Sequence, residues 1–104
     1  MTNVEINGNL CKDPVFKITQ SGAKLCYFKV ASNYYVRKKD GVYEKRADFF
    51  PVTCWGSIAE AARYLTKGSA VWIKGRGQTR LWTDPDGLSH KLFQINAMEM
   101  LVPI

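Results

Sequence analysis

The segment from residue 49 to residue 82 most constrains the fold, because elements of three different kinds follow one another within it. An apolar run with the composition of a strand ends at Trp55. A stretch with helical periodicity comes next. A basic, strand-like segment then covers residues 67–80, which carry four cations and no acid, and Trp82 follows it. This order, with a tryptophan at each junction, is the starting point for predicting fold and function.

Alternation of apolar and polar residues predicts further strands on both sides of this segment. Gly8 marks a bend or bulge in the first strand, and Asp13-Pro14 interrupts it. Asp40-Gly41 is a hairpin tip, because Asp-Gly readily supplies the positive φ of such turns, and residues 83–87 form a second turn. The predicted strands cover about residues 4–10 with an extended continuation over 15–19, then 24–35, 45–55, a fourth strand with Val71 and Ile73 inward and Trp72 and Lys74 outward, and 91–101.

One helix is predicted between the third and fourth strands. Ser57 and Glu60 have the spacing of a capping box, and Gly68 is placed to end the helix in a left-handed conformation. One face carries Ile58, Ala61, Ala62 and Leu65.

Three strands, a helix and two strands predict an all-β fold, the OB-fold, a five-stranded Greek-key barrel with a helix between strands three and four. An SH3-like barrel is the main alternative, but it does not normally place a capped three-turn helix at that point. With 104 residues, the chain is expected to form one domain over residues 1–104.

The net charge of +6 favours polyanionic partners. Hydrophobic content of 46% and charged content of 23% are those of a soluble globular protein. The apolar runs are much shorter than the roughly 20 residues that span a bilayer. No basic stretch followed by an apolar segment opens the chain, so no signal peptide is expected. The expected location is therefore the cytoplasm, in association with the nucleoid, with no membrane partner.

Little in the sequence supports catalysis, a metal site or a cofactor. Cys11, Cys26 and Cys54 lack C-x-x-C spacing and are most simply small buried hydrophobic residues. His90, the only histidine, lies in a predicted loop and is interpreted as incidental. Gly75-Arg76-Gly77 lacks the helix that a phosphate-binding loop requires. The sequence predicts a protein that is not an enzyme and has no cofactor.

The third strand separates its two faces clearly. Phe50, Val52 and Cys54 form a core set, whereas Phe49, Thr53 and Trp55 face the other way, where an ordinary strand has polar residues. Stacking on unpaired bases, worth about 1–3 kcal/mol per base, is one reason for exposed aromatic rings. A subunit interface is the other.

The hairpin between the second and third strands is rich in cations and tyrosines, which favours an arm that closes over a nucleic-acid strand. A solvated loop is the alternative, and Asp40 and Glu44 partly support it. The residues are Tyr34, Tyr35, Arg37, Lys38, Lys39, Tyr43, Lys45 and Arg46. The later loop, residues 76–91, repeats this mixture with Arg80, Trp82 and Lys91.

Short motifs recur in order over nearly the whole chain, and together they resemble the bacterial-type single-stranded-DNA-binding proteins. They are Gly8-Asn9-Leu10, Asp13-Pro14, Ser21-Gly22, Phe28-x-Val30-Ala31, Asp48-Phe49, Trp55-Gly56, Ala59-Glu60, Tyr64-Leu65-x-Lys67-Gly68-Ser69, Gly75-Arg76, Gln78-Thr79-Arg80 and Trp82-x-Asp84-x-x-Gly87. The resemblance implies an OB-fold, usually a homotetramer, that binds single-stranded DNA without sequence preference in replication, recombination and repair.

The resemblance also implies residue roles. The stacking rings fall on Phe49, Trp55 and Trp82, and a further ring falls on Val36, where either Tyr34 or Tyr35 substitutes or the stacking point is lost. Pro51 replaces a polar residue and indicates an edge or a bulge. The nucleic-acid-binding residues expected are Tyr34, Tyr35, Arg37, Lys38, Lys39, Phe49, Trp55, Lys67, Lys74, Arg76, Arg80 and Trp82, and those expected in the subunit interface are Val4, Ile6, Phe50 and Trp72.

The chain departs from the family pattern at its end, because no acidic C-terminal tail follows Val102-Pro103-Ile104. If that end is natural, a plasmid, phage or specialised paralogue is favoured, and recruitment of replication or repair proteins through a tail is in doubt. The alternative functions are a dimeric replication-restart (primosomal) adaptor on the same fold, working mainly through protein contacts, and an RNA-binding module.

Overall fold

A computed structural model describes residues 2–103. One short helix lies between the fourth and fifth of six strands. This is the predicted position, between strands three and four, because the second of the six strands corresponds to the predicted continuation of the first, residues 15–19. The elements are β1 (Thr2–Leu10), β2 (Val15–Ile18), β3 (Lys24–Arg37), β4 (Tyr43–Trp55), α1 (Gly56–Ala62), β5 (Ala70–Thr83) and β6 (Ser89–Leu101).

Five of the strands close into a ring. The sheet order is β1-β5-β6-β4-β3-β2, and an additional pairing of β1 with β3 joins the two ends of the five-stranded part. The β4–β6 pairing is parallel, and the other pairings are antiparallel. Since β4 occupies one edge of β3, β1 and β2 follow one another along the other edge. The predicted barrel, with an interrupted first strand that resumes, is confirmed.

The barrel interior is filled by inward residues of β1, β3, β4, β5 and β6, and β2 adds the partly buried Phe16 against this core. Val71, Ile73, Val52 and Cys54 are buried as predicted, with Phe50 partly buried against them. Burial raises the pKa of the Cys54 thiol to about 12, and it also raises the pKa of Cys26. These two thiols are therefore protonated packing groups. Cys11 is only half-buried, contrary to the prediction of full burial.

A bulge at Gly8, one of the two features predicted there, is wrong. The register between β1 and β5 runs unbroken through this residue. A Cβ atom at position 8 would collide with the carbonyl group of Ala31, so glycine allows β3 to approach β1 closely. The register shift lies instead between Lys74 and Gly75, where β5 pairs with β6.

Pro51 lies on an edge of β4. The register between β3 and β4 continues past the Lys29–Pro51 pair without a shift, so there is no bulge at this point. Strand β6 pairs with β4 only at Val52 and Thr53. Of the two alternatives predicted for Pro51, an edge is the correct one, and a missing N–H costs little at an edge.

The predicted capping box is wrong, because the helix begins two residues earlier than expected. Its N-cap is Trp55, which makes no side-chain cap hydrogen bond, and Gly56 turns the chain out of β4 with a φ of 64°. Ser57 is thus already inside the first turn. The carboxylate of Glu60 instead contacts Lys24 Nζ at 3.4 Å and Arg63 Nη1 at 3.3 Å.

The helix also ends earlier than predicted, at Ala62, and spans 7 residues. Its buried face contains Ala59 and Ala62, whereas Ala61, predicted to face inward, is exposed. Gly68 does have a positive φ, 90°. It lies in a separate turn after the helix, and its backbone N–H donates to the carbonyl of Leu10 at 2.8 Å. The sequence thus predicted the positive φ of Gly68, but the hydrogen bond to Leu10 determines which turn the residue forms.

The two predicted turns are confirmed at the ends of long hairpins. Gly41 and Gly87 have φ values of 83° and 82°. The β3–β4 pairing extends to Arg37 and Tyr43, and the β5–β6 pairing to Thr83 and Ser89. Among residues 2–103, no helix is long and apolar enough to cross a membrane.

Candidate nucleic-acid interface

An open groove of about 530 Å³ crosses the outer face of five strands. Strand alternation places five of its residues there, each directly next to a buried, inward-facing residue: Leu25, Tyr27, Thr53, Trp55 and Gln94. The groove is lined by Val15 and Lys17 on β2, Leu25 and Tyr27 on β3, Thr53 and Trp55 on β4, Arg80 on β5, and Leu92 and Gln94 on β6. Apolar and aromatic groups thus meet two cations in one concave surface.

Phe49 and Trp55 lie on the outer face of β4, as predicted, with 58% and 49% of their surface exposed. The register pairs Ala31 with Phe49 and Tyr35 with Lys45. Since side chains alternate along a strand, Tyr35 lies on the same face as Phe49.

Tyr34 lies on the opposite face of β3. Together with Phe50 and Trp72 it lines a separate cavity of about 470 Å³. The sequence left Tyr34 and Tyr35 as the two candidates to replace the stacking ring that is missing at Val36. Only Tyr35 lies on the same face as the other stacking rings.

Trp82 is held between two neighbours on the β5–β6 hairpin. The imidazole of His90, its cross-strand partner, stacks on the indole with ring centroids 5.2 Å apart and an angle of 18°. The guanidinium carbon of Arg80 lies 5.5 Å from the indole centroid. His90, interpreted from the sequence as incidental rather than as a general base, has a structural role here, because its ring supports a predicted stacking residue.

Asp84 organises this hairpin. One carboxylate oxygen accepts the backbone N–H groups of Asp86 and Leu88 at 3.0 and 2.9 Å, and the other lies 2.6 Å from His90 Nε2. The hydrogen bond with His90, followed by those from Leu88 and Asp86, lowers the pKa of Asp84 below its ordinary value. The carboxylate consequently fixes both the turn and the imidazole.

The predicted cations do not all lie at the groove. Of them, only Arg80 lines it. Lys74 has acidic residues, Glu5 and Glu99, as its register partners on both neighbouring strands, which lowers the local positive potential. The remaining predicted cations are exposed on the β3–β4 hairpin, the 63–69 loop and β5: Arg37, Lys38, Lys39, Lys67 and Arg76.

The four residues predicted for the subunit interface also differ in position. Ile6 is only 8% exposed and packs in the barrel core, so it has little surface to give to a partner. Val4 and Phe50 are partly buried against that core. Trp72 is half-buried on the outside, and its Nε1 donates to Glu5 Oε1 at 2.7 Å. The indole N–H is therefore already satisfied within the subunit.

Sequence reasoning missed six of the residues that line the groove: Val15, Lys17, Leu25, Tyr27, Leu92 and Gln94. Tyr27 alternates with the buried residues Cys26 and Phe28, and this signal was readable. The two β6 residues carry no such signal, because their position depends on the parallel pairing of β6 with β4.

Comparison with known proteins agrees with this arrangement. The family model described as the single-strand binding protein family matches residues 1–102. The chain belongs to this family. Single-stranded DNA-binding protein 1 of Clostridium acetobutylicum is 43% identical over 89 residues, which are 84% of this chain and 79% of that protein.

Two further relatives are each named single-stranded DNA-binding protein 2. The one from Chlorobaculum tepidum is 36% identical, and the match covers 93% of this chain and 67% of the relative. The one from Listeria innocua is 40% identical, with 84% and 54% covered. A solved structure of Plasmodium falciparum SSB in complex with ssDNA superposes with a TM-score of 0.88 at 20% identity, covering 100% of this chain and 96% of the other. This structural likeness confirms the fold described above for this chain.

Proposed function

We propose that this protein binds and protects single-stranded DNA without sequence preference. One observation carries the proposal: Phe49, Trp55 and Trp82 stand exposed on the outer face around a groove that also contains Arg80 and Lys17. Aromatic rings stack on any unpaired base, while cations follow the phosphates.

The groove chemistry favours an unpaired strand over a duplex. Stacking requires access to the face of a base, which pairing and stacking within a duplex close off. Thr53 and Gln94 are the neutral polar side chains of the groove. A hydroxyl and an amide can each donate and accept hydrogen bonds, so they match the edge of any base. This supports binding with little sequence discrimination.

The electrostatics favour a polyanion and make the affinity dependent on salt. The chain has a net charge of +6. Within residues 2–103 the ion pairs of lysine and arginine side chains involve Lys24, Arg46 and Arg63, so the predicted DNA-binding cations keep their charge for a ligand. The logarithm of affinity should fall with the logarithm of salt concentration by about 0.7 per neutralised phosphate.

The same proposal includes assembly into a homo-oligomer, most simply a tetramer. Apolar side chains continue from the barrel interior onto an open face, where Phe50 and Phe93 contact edge to face at 6.4 Å and Leu81 is exposed. Val4 and Trp72 border this region, and covering it would remove apolar surface from water. Roles in replication, recombination and repair, contacts with the proteins of those processes, and a cytoplasmic location extend the proposal.

Titration with poly-dT, duplex DNA and RNA of equal length tests the binding. Tight binding of poly-dT, weaker binding of duplex and quenched tryptophan fluorescence are expected. Equal affinity for duplex, or tighter binding of RNA, would overturn the assignment to single-stranded DNA.

Trp72→Arg tests the assembly. The charge should dissociate the oligomer to a smaller species in light scattering while circular dichroism stays unchanged, and affinity for long DNA should fall through lost multivalency. A mutant that keeps its mass but no longer binds a short oligonucleotide would place Trp72 in the DNA site.

A further inference from the structure

A second cavity borders the DNA groove, and the two share a wall. It has a volume of about 210 Å³ and is lined by Cys11, Lys12, Asp13, Val15, Tyr27, Phe28 and Lys29. Val15 and Tyr27 line both cavities. We call the second one the Lys12–Lys29 cavity. No residue role described above depends on it.

Tyr27 has a larger side chain than its neighbours in the wall that the two cavities share. Its register partners are Val15 on β2 and Thr53 on β4, and both are smaller side chains. Tyr27 is 41% exposed. A large ring between two small neighbours, with open space on both sides, has two faces on which a base can stack.

The register also relates Tyr27 to Trp55. Leu25 pairs with Trp55 and Tyr27 pairs with Thr53, so the two aromatic residues lie on a diagonal of the β3–β4 ladder. Diagonal positions on paired strands are about 7–8 Å apart. This is about twice the 3.4 Å between successive stacked nucleotides of one strand, so the spacing of the two positions is compatible with one base between their rings.

The Lys12–Lys29 cavity is suited to a phosphate. Two lysines line it, and neither belongs to an ion pair in the part of the chain that the structure describes. The carboxylate of Asp13 is already engaged, because it accepts the backbone N–H of Lys67 at 2.7 Å. The cavity wall is fixed as well, since the N–H of Cys11 donates to the carbonyl of Lys29 at 3.0 Å.

We propose that the DNA path continues beyond the Trp55 groove, with one nucleobase between Trp55 and Tyr27 and the next nucleotide in the Lys12–Lys29 cavity. Tyr27 stacks on a base, and Lys12 and Lys29 neutralise the adjoining phosphate. This inference rests on the proposed function and adds a direction to it, towards β2 and the end of β1.

The first test measures the affinity of oligothymidylates that are lengthened by one nucleotide at a time. The increment added by one particular nucleotide should be lost in Tyr27→Ala, with a fall in affinity of about five- to 150-fold, and kept in Tyr27→Phe. Tyr64→Ala is the matched control, because Tyr64 is exposed but lines neither cavity. Thermal melting verifies that each variant is folded.

The second test concerns the two lysines. Lys12→Ala combined with Lys29→Ala should reduce the salt slope by about 0.7, the contribution of the one phosphate that the two lysines neutralise. Lys24→Ala removes a lysine that lies outside both cavities and is already paired with Glu60, so it should leave the slope unchanged. Parent-like length dependence in Tyr27→Ala and a parent-like slope in the lysine variant would overturn the extended path while leaving the proposed function intact. Failure of the parent protein to bind any oligothymidylate would overturn the proposed function itself.

Discussion

Two hairpins extend from the barrel, and they hold their DNA-binding candidates in different ways. The β3–β4 hairpin carries Arg37, Lys38 and Lys39 at its end, all exposed. Its turn is closed by backbone hydrogen bonds and by Asp40, which accepts a single N–H, that of Val42, at 3.0 Å. Its side chains therefore supply charge without a fixed geometry.

The β5–β6 hairpin has the opposite character. Asp84 accepts two backbone N–H groups, orients His90 and thereby supports the ring of Trp82. An aromatic side chain that is already positioned loses little conformational entropy when a base stacks on it. The comparison indicates that one hairpin attracts the strand through long-range charge and the other binds it through a preformed stacking surface.

The largest expected effect comes from removing the stacking surface. Trp55→Ala combined with Trp82→Ala should weaken poly-dT binding by about 2–6 kcal/mol, at about 1–3 per stacked base, and should abolish most of the fluorescence quench. The salt slope should remain near that of the parent, because no cation is lost. Unchanged affinity in a folded double mutant would refute the assignment of these rings.

Reversing the charge of the other hairpin should have the next largest effect. Arg37→Glu with Lys38→Glu and Lys39→Glu should reduce the salt slope by about 2, from three contacts at about 0.7 each. Affinity should be lost mainly at low salt and approach that of the parent at high salt. An equal loss at all salt concentrations would mean that these residues make geometric rather than electrostatic contacts.

A matched pair of aspartates compares the two turns directly. Asp84→Ala removes two turn hydrogen bonds and the partner of His90, whereas Asp40→Ala removes one turn hydrogen bond. Asp84→Ala should lower the melting temperature more, and it alone should weaken DNA binding, by less than the loss of the Trp82 ring. Equal effects of the two substitutions would show that the second hairpin is not better ordered than the first.

The smallest effect concerns acid. The pKa of Asp84 is lowered in the folded protein, so its contribution to stability is present above the ordinary value of 3.8 and is lost as pH falls through the lower, folded value. The stability advantage of the parent over Asp84→Asn should therefore be constant from neutral pH down to about pH 5 and decrease at lower pH. Melting curves of both proteins across this range measure it, and a gap that persists in strong acid would contradict the role of the carboxylate.

The sequence was sufficient to predict the elements that depend on local pattern. Alternation around Val71 and Ile73 predicted a strand with the correct inward face, and the Asp-Gly sequence at Gly41 predicted a hairpin tip. Both signals lie within a few residues of the feature they specify. The five-stranded ring followed from the order of these elements together with the family resemblance.

The failures concern features that depend on distant parts of the chain. Ser57 has the spacing of a helix cap, but the helix starts two residues earlier, at Gly56 with its positive φ. Gly8 and His90 have roles set by partners on other strands, the carbonyl of Ala31 and the indole of Trp82. No periodicity in a single strand reports such a partner.

The closed ring of strands has the fewest paired residues at two of its strand contacts. Only two residue pairs join β1 to β3, and only two join β4 to β6, whereas thirteen pairs join β3 to β4. The groove passes over the β4–β6 contact, with Thr53 and Trp55 on one side and Leu92 and Gln94 on the other. A DNA strand lying there would connect the two halves of the barrel across a short seam, so bound DNA should slow amide exchange most at the facing ends of β4 and β6.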